Sequence, residues 1–155
     1  MSLERAFDYS STAALLAWLL LLAGLAVRDG AARRALLLAG GRAAPVLLAV
    51  VYAVLLVLHW RSAPEGGFGS LNAVAQLFQS RGKLLAGWIH FLAFDLLVGR
   101  GLIDHALKAG HSRWLLLPCL PLTFWFGPAG LLLYGLLCVL HNSTAWVLAA
   151  HRARV

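Results

Sequence analysis

The sequence predicts an all-α integral membrane protein: a bundle of four transmembrane helices, with a short interfacial helix between the second and the third. Three observations carry that expectation. Hydrophobic residues make up 61% of the 155 residues and charged residues only 12%, whereas soluble domains run at about half apolar and about a quarter charged. Mean hydropathy is +0.81, and the apolar residues gather into runs near the ~20 residues a spanning helix needs. Six tryptophans suit the head-group region on either side of a bilayer. The length allows one membrane domain over residues 1–155.

The first span is expected over about residues 7–27, "FDYSSTAALLAWLLLLAGLAV", closed by "VRDGAARR". The segment before it, "MSLERAFD", carries two acids and one arginine. That is the wrong charge balance for a secretory signal, so the span is expected to stay with the chain. The second span is expected over about 43–59. Gly40, Gly41 and Arg42 interrupt the preceding "ALLLAGG", and Pro45 fits a first helical turn, where its missing N–H costs nothing. "RRALLLAGG" is then an interfacial segment or an early helical turn. In the long connection after it, "APEGGFGS" reads as a turn or flexible loop. "SLNAVAQLFQ" follows, with Leu71, Val74, Leu77 and Phe78 at helical spacing. A short helix over about 71–80, lying in the interface, is expected there.

The third span is expected over about 84–107, ending in "GRGLIDHALKAGHSR", where Asp104 and Lys108 are spaced for a surface ion pair. The fourth is expected over about 114–140, interrupted by Pro118, Pro121 and Pro128. Each proline removes a backbone hydrogen bond. In lipid the freed carbonyls need partners, so "FGPAG" at 126–130 is expected to face protein. Cys119 and Cys138, nineteen residues apart on that one expected helix, would stand roughly 28 Å apart along its axis. That excludes a disulfide. No CxxC or HExxH spacing is present, so no metal site and no cofactor are expected.

The net charge is +7 and the isoelectric point is near 10.5. The cations are spread through the short connections rather than laid in a stripe, so nucleic acid is not an expected partner and anionic lipid head groups are. With four spans, six cations fall on the side of the termini and seven on the other. The positive-inside rule therefore assigns no orientation. Phosphate loops, dinucleotide fingerprints and hydrolase elbows are missing from the sequence.

Polar groups inside the apolar runs are the candidate functional residues. His90 and Asp95 lie within "AGWIHFLAFDLLVGR", and a charged aspartate near the bilayer centre is costly unless it faces the bundle interior and pairs. At roughly 100° per residue the two point about 140° apart. They could flank one cavity, or Asp95 could pair with Arg42, Tyr52, His59 or Thr123. It could also be purely structural, bonded to backbone freed by the prolines. Arg42 can snorkel to the head groups, and His59 reads as interfacial. Tyr52 and Trp125 are packing groups or the lining of a ligand tunnel. His105, His111, His141 and His151 fall near expected helix ends, where a solvated reading is preferred.

"APVLLAVVYAVLL", "LNAVAQLFQSRGKLLAGWIHFLAFDLLVGRGLIDH" and "LPCLPLTFWFGPAGLLLY" together resemble the abscisic-acid-deficient, neoxanthin-synthase-like family of small four-helix membrane proteins. The resemblance covers roughly residues 12 to 140, with "GWIHFLAFDLLVGR" its most specific part. It implies a carotenoid connection: the plant member is associated with converting violaxanthin, an epoxide, to neoxanthin, an allene. That isomerisation needs no redox cofactor. It needs an acid for the epoxide oxygen and a base for a proton of the polyene. Asp95 is the expected acid and His90 the expected base. Arg100 or Arg42 would steady the oxygen, and Tyr52, Trp88 and Trp125 would contact the polyene. The expected partners are a carotenoid or other isoprenoid lipid, membrane lipids and, if the chain conducts protons or ions, further copies of itself. A membrane scaffold or accessory subunit, catalysing nothing, is the rival expectation. The Ala-, Leu- and Arg-rich composition points to a bacterial inner membrane as its location.

Overall fold

The structure is a computed structural model that describes the backbone of residues 2–152 and the side chains of residues 2–141. His151 lies outside the described side chains. Every regular element among the described residues is helical: α1 (Leu3–Ala26), α2 (Ala31–Leu38), α3 (Ala44–Leu58), α4 (Leu71–Gln79), α5 (Arg81–Lys108), α6 (Cys119–Phe126) and α7 (Pro128–Arg152). Three helices are long and apolar enough to cross a membrane: Leu3–Ala26, Ala31–Leu58 and Arg81–Lys108. The chain divides into two compact units, residues 1–97 and 98–155.

In the first unit, α1 opens on Ser2, whose hydroxyl accepts from the Arg5 amide at 3.3 Å. Its buried face is Ser10, Ala14, Ala17, Leu21 and Gly24. That spacing of three and four residues makes one stripe of mostly small side chains, the packing surface membrane helices favour. Against it packs the second helix, which continues without a break from Ala31 to Leu58. Gly40 and Gly41 do not interrupt it, contrary to expectation, and its start is earlier than 43. A π-helical turn over Ala39–Ala43 joins α2 to α3. Pro45 cannot donate to the turn before it, and the widened turn accommodates its ring. Gly40 is required there by proximity: a Cβ on it would stand 2.5 Å from the Ala17 carbonyl oxygen.

The first part of α5 runs parallel to α1. Arg81 forms an exposed ion pair with Glu4, and Trp88 Nε1 donates to the Ser11 hydroxyl at 3.1 Å. The ring of His59, at the end of α3, lies directly over Gly82 of α5. α4 forms where the spacing predicts it, capped by Ser70, whose hydroxyl accepts from the Ala73 amide at 3.1 Å. None of its residues is buried. Phe78 reaches Gly87 of α5, where a Cβ would come within 2.7 Å of the ring.

The outer walls are apolar. Leu16 and Leu19 of α1 and Leu47, Val50 and Val54 of α3 are all exposed, as are Leu132 and Val139 of α7. Water would penalise such continuous apolar surface; hydrocarbon does not. The chain is a membrane protein.

In the second unit, α5 ends at Lys108, and Gly110, at φ 67°, closes it in the left-handed conformation that glycine adopts freely. The expected fourth span over 114–140 is not one helix. It begins as a 3-10 turn, Arg113–Leu115, continues as α6, and restarts as α7 after a sharp turn at Gly127, φ 46°. Pro118, Pro121 and Pro128 explain the interruption, since none of them can donate to the turn before it. α6 and α7 fold against each other, so Cys119 and Cys138 lie on two packed helices rather than far apart along one. Both thiols are free. Gly130 makes the close approach possible: a Cβ there would overlap the hydroxyl of Thr123 and stand 2.5 Å from the Cys119 carbonyl oxygen. Thr123 is fully buried and donates its hydroxyl to that carbonyl at 2.8 Å. In the "FGPAG" turn Gly127 and Gly130 are buried, whereas Phe126 and Pro128 are exposed.

Gly40→Leu should drive α1 away from the second helix and lower stability by about 1–3 kcal/mol, the range for overpacking. Gly101→Ala, where nothing stands within 4 Å of the new Cβ, should leave stability unchanged or raise it slightly. Thermal unfolding of both variants in one detergent checks the pair.

Candidate functional site

Burial on the first part of α5 follows the helical period: Leu85, Ala86, Ile89, Leu92, Ala93 and Leu96 are buried. Asp95 lies on that inner side, with 6% of its surface exposed. Its Oδ2 is buried and meets no hydrogen-bond donor among the described residues. A buried oxygen acceptor without a donor costs free energy.

His90 is on the other side of the helix. Its residue is exposed, and its ring stacks on Phe94 at 4.4 Å between centroids and faces Tyr52 of α3 at 5.5 Å. Trp88, 40% exposed, stacks on Phe91 at 5.8 Å and meets Phe7 at 5.7 Å. Tyr52, His90 and Phe94 thus form one partly exposed aromatic wall, and Trp88 belongs to a second group with Phe7 and Phe91. The structure brings Tyr52 to His90. Asp95 and His90 have no hydrogen bond between them among the described residues, in keeping with their angular separation.

The expected cationic partners are placed differently. Arg42 is exposed in the π turn. Arg100, in the second unit, forms an ion pair with Asp104, its Nε 2.8 Å from Oδ1. Asp104 therefore pairs one turn back along α5 with Arg100, not forward with Lys108 as expected; the guanidinium is planar and preorganised for a carboxylate. His59 is tied down: its Nδ1 lies 3.0 Å from the Leu55 carbonyl oxygen. Trp125, 69% exposed, meets only Phe124 edge-on at 5.5 Å among the ring contacts of α6.

The second unit holds a cluster that includes two of the histidines expected to be solvated; His105 is exposed and His111 half-buried. His105, His111, Tyr134 and Cys138 converge at the close of α5. His105 Nδ1 lies 2.8 Å from the Tyr134 hydroxyl, which lies 3.4 Å from His111 Nδ1, and Cys138 Sγ lies 3.7 Å from that same nitrogen. Beside them opens a cleft of about 510 Å³ lined by Val98, Leu102, Leu131 and Gly135 together with His105, Tyr134 and Cys138. The four-residue step from Tyr134 to Cys138, on one helix face, is the only local signal in the sequence; the rest depends on the turn at Gly110.

Because the Asp95 carboxyl has no partner to lose, Asp95→Asn should unfold at the same temperature as the parent chain or higher. A drop of several degrees in a detergent melt would instead mean that the carboxylate supports the fold.

The family model for ABA DEFICIENT 4-like proteins matches residues 5–134, from α1 into the first turns of α7. No curated protein and no solved structure matches the chain. With that match extending over both units and over Asp95, His90 and the aromatic wall, the chain belongs to the ABA4-like family.

Proposed function

We propose that this protein acts on a carotenoid or related polyene isoprenoid dissolved in a bacterial inner membrane, as a cofactor-independent isomerase of the epoxide-to-allene type. Membership of the ABA4-like family and the uncommitted buried carboxyl of Asp95 together support the reading, and the carboxyl is the observation that carries it. In this reading the chain sits as a four-span bundle, with α4 lying in the interface and the α6–α7 segment forming the last crossing.

The chemistry is a balanced proton exchange. Asp95, as the neutral acid, gives its proton to the epoxide oxygen, and the C–O bond opens to a hydroxyl. His90 takes a proton from the adjacent polyene carbon, and the released electron pair completes the allene. Atoms and oxidation level are conserved; His90 then loses its proton and Asp95 regains one by separate exchange with water, which resets the site. The aromatic wall of Tyr52 and Phe94 beside His90 gives the polyene a flat surface to lie on, Trp88 offers a second contact beside Phe7, and exposed Arg42 is the guanidinium assigned to the oxygen. Arg100, held by Asp104, is not assigned that role, and Trp125 carries none.

A second reading is favoured by one observation: the acid and the base lie on different sides of α5. A protein that only binds a polyene, or serves as an accessory subunit, would need no such pair to act together. The two readings separate on one experiment. Pigments are extracted from a bacterial host that accumulates epoxy-carotenoids and expresses the chain, the Asp95→Asn variant or the His90→Ala variant at equal levels. An isomerase converts the epoxide, and each substitution lowers turnover about 100-fold or more, the range for a lost general acid or base. Copurified but unaltered pigment supports the binding reading. No conversion and no copurified polyene in any precursor strain removes the basis of both.

A further inference from the structure

We propose that His105, His111 and Cys138 form a binding site for a borderline-to-soft transition-metal ion, represented by Zn²⁺. One donor atom from each of the three lies within 4.8 Å of the others. A tetrahedral zinc ion, with Zn–S of about 2.3 Å and Zn–N of about 2.0–2.1 Å, sets its donors roughly 3.3–3.6 Å apart. Rotation of the exposed His105 and the half-buried His111 and Cys138 side chains would close the gap.

Local structure explains the convergence. His105 ends α5. Gly110 turns the chain through its left-handed conformation, and the His111 amide donates back to the Ala106 carbonyl at 2.9 Å. The His111 ring is thereby returned over the helix end, with its centroid 5.8 Å from that of His105. Cys138 meets it from α7, and Tyr134, one turn earlier on the same helix, places its hydroxyl between the two imidazoles.

The donor set selects the ion. Two imidazoles and a thiolate suit zinc and its soft neighbours, and the set contains no carboxylate for Mg²⁺ or Ca²⁺. Three protein donors leave one tetrahedral position open, the arrangement of a metal that binds an exchangeable ligand. His105, Tyr134 and Cys138 also line the 510 Å³ cleft. An ion held by the cluster therefore borders an otherwise apolar space, and the ligand class it would take there is an apolar molecule carrying an oxygen, or water in its place. Metal binding at this cluster is independent of the assignment of Asp95 and His90.

Full-length protein in detergent micelles, stripped of metal, is titrated with Co²⁺ as a spectroscopic stand-in and then with Zn²⁺. One equivalent of Co²⁺ should give a thiolate-to-cobalt charge-transfer band and tetrahedral d–d bands, and Zn²⁺ should displace it. Cys138→Ser should abolish the charge-transfer band, His105→Ala and His111→Ala should each weaken binding by at least about tenfold, and Cys119→Ser should change neither. A measurement on the unmodified chain stands beside these variants: alkylation of Cys138, mapped by mass spectrometry, should slow markedly in stoichiometric Zn²⁺ and not in Mg²⁺. Absence of stoichiometric Co²⁺ binding, survival of the charge-transfer band in Cys138→Ser, or alkylation indifferent to Zn²⁺ would each overturn the proposal.

Discussion

Hydrocarbon offers no hydrogen bonds, so every backbone carbonyl and amide at membrane depth must be met from within the protein. Four of the five prolines fall within the apolar segments, and they turn that constraint into the main architectural problem. Two solutions are visible. At Pro45 the helix stays whole, and the strain is absorbed by a π turn pressed against α1 at Gly40. At Pro118, Pro121 and Pro128 the helix gives way, and the chain becomes a hairpin whose halves touch through Thr123 and Gly130. Glycine is the shared device. It lets one backbone approach another closely enough for dispersion to replace the hydrophobic drive that lipid does not supply.

Asp95 stands out against this rule. Two other polar groups among the described residues are met: buried Thr123 donates to a carbonyl, and half-buried Arg33 gives two nitrogens to the Val27 carbonyl at 3.0–3.1 Å. Asp95 Oδ2 has no such partner among the described residues. Leaving a buried carboxylate oxygen without a donor costs stability, a cost that functional sites commonly carry.

Much of the helix content was legible in the sequence, because hydrophobic runs and cap residues are local. Ser70, Leu71 and Val74 announced α4, and the run from Leu84 announced α5. The errors came where one residue type admits two outcomes. Gly40 and Gly41 read as a break, yet with α1 alongside they become the contact that keeps the helix together. Pro128 read as a kink within one span, but with Gly127 before it the chain reverses. The inward position of Asp95 followed from its cost in lipid. The cluster of His105, His111 and Cys138 did not follow from anything local. Its steps of six and twenty-seven residues match no ligand motif, and they close only when Gly110 and Gly127 have both redirected the chain.

The aromatic wall around His90 has a consequence for supply. On the proposed reading, a molecule that meets Tyr52 and Phe94 arrives sideways, through the acyl chains, without crossing water. Its effective concentration is then its mole fraction in lipid, and encounter is a search in two dimensions. Adding inert lipid or micelles would dilute such a ligand even when the amount per litre is held constant, so the rate of capture belongs to the bilayer as much as to the protein.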